Sequence, residues 1–241
     1  MIRHEVTDGV ATITIDRPKR RNALNHDAVE ALDDALGAST AAAARCVIVT
    51  GADGHFCAGA DLTELEDLTF TLRLREMLDH LAGLEIPTIA AISGACMGLG
   101  MQLALGCDVR IATDDARFGV PVAKLGLMVD HWTLRRLALA AGWGTARHMV
   151  LFAEVLDAAD AHRVGLVQDI GDLGAAEVLA RRVTELAPLS ISGSKLGLNL
   201  AESDVEPAAY RSAFEAAWAS EDLVEGRTAF GERRAPTFRG R

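Results

Sequence analysis

Residues 86 to 107, IPTIAAISGACMGLGMQLALGC, carry no charge, and this run constrains the fold more than any other part of the chain. An apolar stretch of this length is long enough to span a membrane. Pro87, Gly94, Gly98, Gly100 and Gly106 interrupt it, however, and no second apolar segment of comparable length exists. A buried element of a globular protein is the better expectation. The stretch is not a phosphate loop either. Its glycines do not follow GxGxxG, no GK[ST] follows, and the first downstream acid is Asp108 rather than one about twenty residues on.

Half of the 241 residues are hydrophobic, enough for a sizeable core in one large domain or two small ones. The balance of 34 acidic against 24 basic residues gives a net charge of -10, which disfavours a nucleic-acid surface. Basic residues cluster only at Arg17 to Arg21 and near the C-terminus. MIRHEVTDG has no apolar signal-like core, so neither secretion nor organelle import is signalled and the cytoplasm is the expected compartment. Cys46, Cys57, Cys96 and Cys107 show no CxxC spacing. They read as buried reduced thiols rather than as disulfides or a metal site.

The segment VATITID, residues 10 to 16, alternates like a half-buried strand, and RPKRRNALN then feeds a helix through DAVEALDDAL. CVIVTG predicts the next strand. A polar glycine-containing loop follows, then an amphipathic helix around Leu72 to Leu84, then the apolar run Thr88 to Ile92. Short apolar runs separated by helices imply parallel strands buried on both faces, hence an α/β fold. Beyond Trp132 the pattern is mostly helical, interrupted chiefly by DAADAHRVGLVQDI and broken at Pro188 and Pro207.

Both apolar strands run into loops of small residues, Cys57 to Ala60 and Ala95 to Gly100. Ligands in open α/β sheets sit beyond such strand ends. Backbone N–H groups there, and at the helix start after Gly98, can hold a developing negative charge as an oxyanion hole. The same glycines also serve tight turns and close helix packing.

RPKRRNALN, VIVTGADGHFCAGADL, ISGACMGLGMQLALGCDVRIA and ARFGVPVAKLGL, with ERRAPTFRG near the end, resemble the enoyl-CoA hydratase/isomerase (crotonase) family along nearly the whole chain. The resemblance implies a crotonase-like spiral of ββα units, with a core over residues 1–190 and a helical trimerisation region over 191–241. It implies an acyl-CoA thioester as ligand, no other cofactor, no metal, and a homotrimer or hexamer. The backbone N–H groups of Ala60 and Leu99 become the oxyanion donors, with leucine standing at 99 where glycine is usual. Arg17, Arg20, Ala23, Ala58, Asp61 and Leu62 match positions around coenzyme A, and Phe230 and Arg233 match tail positions that reach a neighbouring subunit's coenzyme A. Arg17, Arg20 and Arg233 read equally well as solvated surface arginines.

Hydratases of the family carry one glutamate in the helix after the second loop and another after the FG.P motif. Here those positions hold Gln102 and Val122. Hydration needs a base for the water and an acid for the α-carbon, each worth about 100- to 10,000-fold, so efficient hydration is not expected. Gln102 reads as a structural amide or as a group orienting a water. Asp130 lies eight residues after Val122, where single-acid isomerases of the family carry an aspartate. One carboxylate suffices to shuttle a proton between two carbons; the other reading of Asp130 is the N-cap of a helix beginning near Trp132. His131 beside it reads as packing or surface.

VDHWTLRRLALAAG, APLSISGSKLGLN and AAWASEDLVEG resemble most a mycobacterial paralogue of the family that lacks both glutamates and is thought to bind long-chain acyl-CoA without turnover. That comparison places Trp132 in an acyl pocket, against a simple core role, and suggests a lipid-synthesis protein partner. The expected function is therefore acyl-CoA binding, with an Asp130-dependent isomerase as the alternative. Hydrolysis by Ser93 lacks a convincing histidine and acid partner.

Overall fold

The computed structural model describes residues 1–61, 68–202, 215 and 218–237. The chain opens with a hairpin, β1 (Ile2–Thr7) and β2 (Val10–Ile15), turning at Asp8 and Gly9, both with positive φ. Helix α1 (His26–Ala41) follows, capped by the Asn25 side chain accepting from the Ala28 N–H at 3.1 Å. Then come β3 (Cys46–Gly51), α2 (Leu68–Gly83) and β4 (Thr88–Ile92). This reproduces the expected strand–helix–strand–helix–strand order, and the edge strand β1 is an addition to it.

The uncharged run resolves into β4, the short β5 (Ala95–Met97) and α3 (Leu99–Gly106), every residue of which is buried. A helix apolar all round belongs inside a core. Beyond it lie β6 (Val109–Ala112), β7 (Arg117–Gly119) and a short 3₁₀ turn at Val122–Leu125. The helical third then comprises α4 (His131–Ala141), α5 (Trp143–Leu151), α6 (Ala158–Arg163), α7 (Leu173–Thr184), α8 (Pro188–Glu202) and α9 (Glu221–Gly231), interrupted by β8 (Val155–Asp157) and β9 (Asp169–Ile170). No helix among the described residues is long and apolar enough to cross a membrane.

The larger sheet runs β1-β2-β3-β4-β6-β9, antiparallel at the β1–β2 hairpin and parallel elsewhere. Its central strands are buried on both faces. Val47, Val49, Ala90 and Ile92 face α1 to α3, while Ile48, Ile89 and Ile111 pack with Ala176 and Ala180 of α7. Burial of each valine or isoleucine among them contributes about 1.5–3 kcal/mol before entropy is counted. A smaller sheet, β5-β7-β8, stands beside it.

Helix α8 runs through residue 190 without a break and is fastened to the core by Lys195. Its buried ammonium donates to Asp108 Oδ2 at 2.8 Å and to the Ile86 carbonyl at 2.9 Å. All four cysteines are free thiols and buried, as expected.

Candidate functional site

Two corners of backbone are stitched together at one end of the sheets. The Cys57 N–H donates to the Ala95 carbonyl at 2.9 Å and the Met97 N–H returns to the Cys57 carbonyl at 3.0 Å, so the segment after β3 lies parallel to β5. Leu24 fixes the next step of that segment, since its N–H donates to Gly59 and its carbonyl accepts from Asp61. In a parallel bridge of this kind the N–H of the middle residue, Ala60, points away from Leu24. Glycine is required where α3 comes close. A Cβ on Gly100 would lie 2.3 Å from the Cys57 carbonyl oxygen, and Gly98 adopts φ +52° at the helix start.

Leu99 is the first residue of α3, where an N–H has no partner within the helix, and Gly98 supplies no side-chain cap. Neither the Ala60 nor the Leu99 N–H donates a hydrogen bond among the described residues. Both residues line one cavity of about 530 Å³, together with Ala58, Gln102, Val122, Asp130 and Trp132. The fold thus brings together seven positions singled out from the sequence. Its wall is otherwise mostly apolar, built from residues such as Phe70, Leu74, Leu125 and Leu127. A groove of about 590 Å³ beside α7 on the larger sheet holds neither corner and is lined largely by threonines and charged side chains.

Gln102 is buried, and its amide donates to Asp130 Oδ2 at 2.8 Å and to the Thr133 hydroxyl at 2.9 Å. Asp130 caps α4, its Oδ1 accepting from the Thr133 N–H at 2.9 Å, while Oδ2 also accepts from the Thr133 hydroxyl at 2.8 Å. The capping reading of Asp130 is therefore borne out, and its carboxylate also reaches the cavity wall. Val122 presents only methyl groups to the same space.

Six other expected positions lie off the cavity. Arg17 is largely buried, with Nη2 3.3 Å from the buried Asp61 carboxylate and Nη1 donating to the Ala23 carbonyl. Arg20 is more open, 55% exposed, and 3.8 Å from the same Asp61 oxygen. Ala23 is buried beneath them. Asp61 thus works as an ion-pair anchor for the 17–24 segment. Phe230, at the end of α9, is exposed, as is Arg233 just beyond. Leu62 lies outside the described residues.

Sequence reasoning missed Arg75. Residues Thr71, Leu74, Arg75 and Leu78 line the cavity at helical spacing, so α2 turns this face towards it. The signal was a charge on an otherwise mostly apolar stripe. The Arg75 guanidinium carbon lies 3.9 Å from the centre of the Trp132 ring, and that of Arg136 lies 4.8 Å from it. Met97 and Trp218 also line the cavity and were not anticipated.

A sequence profile described as Enoyl-CoA hydratase/isomerase matches residues 5–241. A probable enoyl-CoA hydratase, echA6, of Mycobacterium bovis is 39% identical over 236 residues, covering 97% of each chain. The crystal structure of an enoyl-CoA hydratase from Mycobacterium avium subsp. paratuberculosis superposes with a TM-score of 0.88 at 30% identity, over 99% of this chain and 98% of that one. A methylmalonyl-CoA decarboxylase in complex with 2-nitronate-propionyl-CoA shares the fold at a TM-score of 0.92 and 23% identity, over 100% and 98% of the two chains. The crotonase-like fold and the mycobacterial likeness expected from the sequence both hold. The chain belongs to the enoyl-CoA hydratase/isomerase family.

Proposed function

We propose that this protein binds acyl-CoA thioesters, receiving the thioester oxygen at the Ala60 and Leu99 N–H groups, and does not hydrate them efficiently. The observation that carries this reading is the state of Gln102, an amide engaged by Asp130 and Thr133 where hydration needs a carboxyl group. With valine at 122 as well, neither of the two positions where the family's hydratases carry glutamate offers an acid or a base, each worth about 100- to 10,000-fold. Two free amide donors still favour a polarised carbonyl, each worth about 100- to 1000-fold in a reacting site. The exposed leucines of α8, Leu189, Leu196, Leu198 and Leu200, together with exposed Phe230, suit a trimer or hexamer in which the tail meets a neighbour's ligand. A lipid-synthesis partner that receives the acyl group fits a binding role.

The test is a panel of saturated and unsaturated acyl-CoAs, followed by calorimetry and by mass spectrometry of products. Binding heat without a hydrated product is expected, and efficient formation of a hydroxyacyl product overturns the reading. The Asp130 carboxylate at the cavity wall supports a second reading, an enoyl-CoA isomerase with Asp130 as its single acid–base group. On that reading Asp130→Asn abolishes double-bond migration and leaves a stable acyl-CoA complex. Absence of migration in the unaltered protein eliminates it.

A further inference from the structure

The polar side chains Arg75, Gln102 and Asp130 are joined within the mostly apolar cavity wall. Such clusters fix the orientation and identity of a ligand in an otherwise greasy pocket. Arg75 is the unusual member. Its Nε, Nη1 and Nη2 atoms are shielded from water, and none makes an aligned hydrogen bond among the described residues. Its charge is nonetheless met. Nη2 lies 2.7 Å from Asp79, Nη1 lies 3.7 Å from Asp130, and the group stacks on Trp132. Nη2 thus has a carboxylate at hand, while Nε and Nη1 have no hydrogen-bond partner among the described residues, and shielded donors left in that condition are costly and uncommon.

We propose that the acyl chain held in this cavity carries a second carbonyl, a ketone beyond the thioester, which accepts a hydrogen bond from Arg75. A guanidinium has five donors and no acceptor, so its partner must be an acceptor. A carboxylate on the chain would add a third negative charge beside Asp79 and Asp130. A hydroxyl would bring a proton of its own, and Asp130 already accepts from the Thr133 N–H, the Thr133 hydroxyl and Gln102. A ketone adds an acceptor with neither charge nor proton. The Arg75 side chain is 24% exposed and lines the cavity, so rotation about its terminal bonds turns an N–H edge towards the ligand.

This inference rests on the acyl-CoA reading, and one titration separates the two. Matched CoA thioesters of equal chain length are compared by calorimetry on the full chain: saturated, bearing a ketone at successive carbons, and bearing a terminal carboxylate. At least one ketone isomer binds roughly tenfold more tightly than the saturated chain, as a hydrogen bond to a charged donor provides. In Arg75→Met that preference shrinks to less than twofold. Saturated chains that bind as well as every ketone isomer overturn this inference and leave the acyl-CoA reading standing, whereas failure of every thioester to bind overturns both. Tighter binding of the carboxylate chain, or a ketone preference that survives in Arg75→Met, also overturns it. Should Arg75→Met not fold, Arg75→Lys, which keeps the charge but loses the flat donor fork, serves for the same comparison.

Discussion

Gln102 carries the one hydrogen-bonding polar side chain of α3, and its burial is tolerated because both amide hydrogens are used. The pairing explains why an amide suits this position as it stands. Asp130 Oδ2 is 2.8 Å from the Gln102 nitrogen, so Gln102→Glu would set two carboxyl groups at hydrogen-bond distance in a partly buried site. At neutral pH the like charges repel and one donor to Asp130 is lost, for a destabilisation of about 1–3 kcal/mol. On acidification the pair takes up a shared proton and regains its hydrogen bond. Urea unfolding of the variant is therefore expected to show its largest deficit near pH 8 and a smaller one near pH 5. An equal deficit at both values would mean that the two side chains do not meet as described. The same cluster shows what a sequence conveys about single residues. Asp130 as an N-cap was legible, because an aspartate before an apolar helical pattern has a local meaning. Arg75 was not, because its importance comes from Trp132 and Asp130, both more than fifty positions away.

At the scale of elements, the site depends on two corners approaching closely, and glycine at 100 makes room for the approach. With a Cβ only 2.3 Å from the Cys57 carbonyl oxygen, Gly100→Ala forces backbone rather than a flexible side chain to move. Overpacking of this kind costs about 1–3 kcal/mol. It should also separate the Ala60 and Leu99 amides, so acyl-CoA affinity falls along with the thermal midpoint. A variant melting like the unaltered protein and binding acyl-CoA equally well would show that the corners do not need this contact. The strands β2, β3 and β4 and the helices α1 and α2 were legible from period and apolar runs, since their burial is written into five or more successive residues. The three-residue strands β5, β7 and β8 were not. Elements that short have no period, and they exist because distant backbone supplies their hydrogen bonds, as Arg117–Gly119 does for Ala95–Met97.

For the molecule as a whole, the core that builds the site also fixes the response to alkali. Burial pushes the thiols of Cys46, Cys57 and Cys107 up to about 12, and Cys96 well above its ordinary value; Asp108 adds to the shift at Cys46 and Cys107. The folded chain keeps these protons, while the unfolded chain releases them from about pH 8.5. Their contribution to stability is therefore complete below about pH 8.5 and is lost as pH rises towards 12. Each thiol removes about 1.4 kcal/mol per pH unit within that window. Two measurements check this. Ellman's reagent should find almost no reactive thiol in the native protein at pH 8 and all four after unfolding in urea. Unfolding free energy should then fall steeply between pH 9 and 10.5, and Cys46→Val, which suits the interior of β3, should make that fall shallower by about one thiol's share. Rapid native-state labelling, or a slope unchanged in Cys46→Val, would mean that the central sheet opens to solvent far more readily than its burial implies.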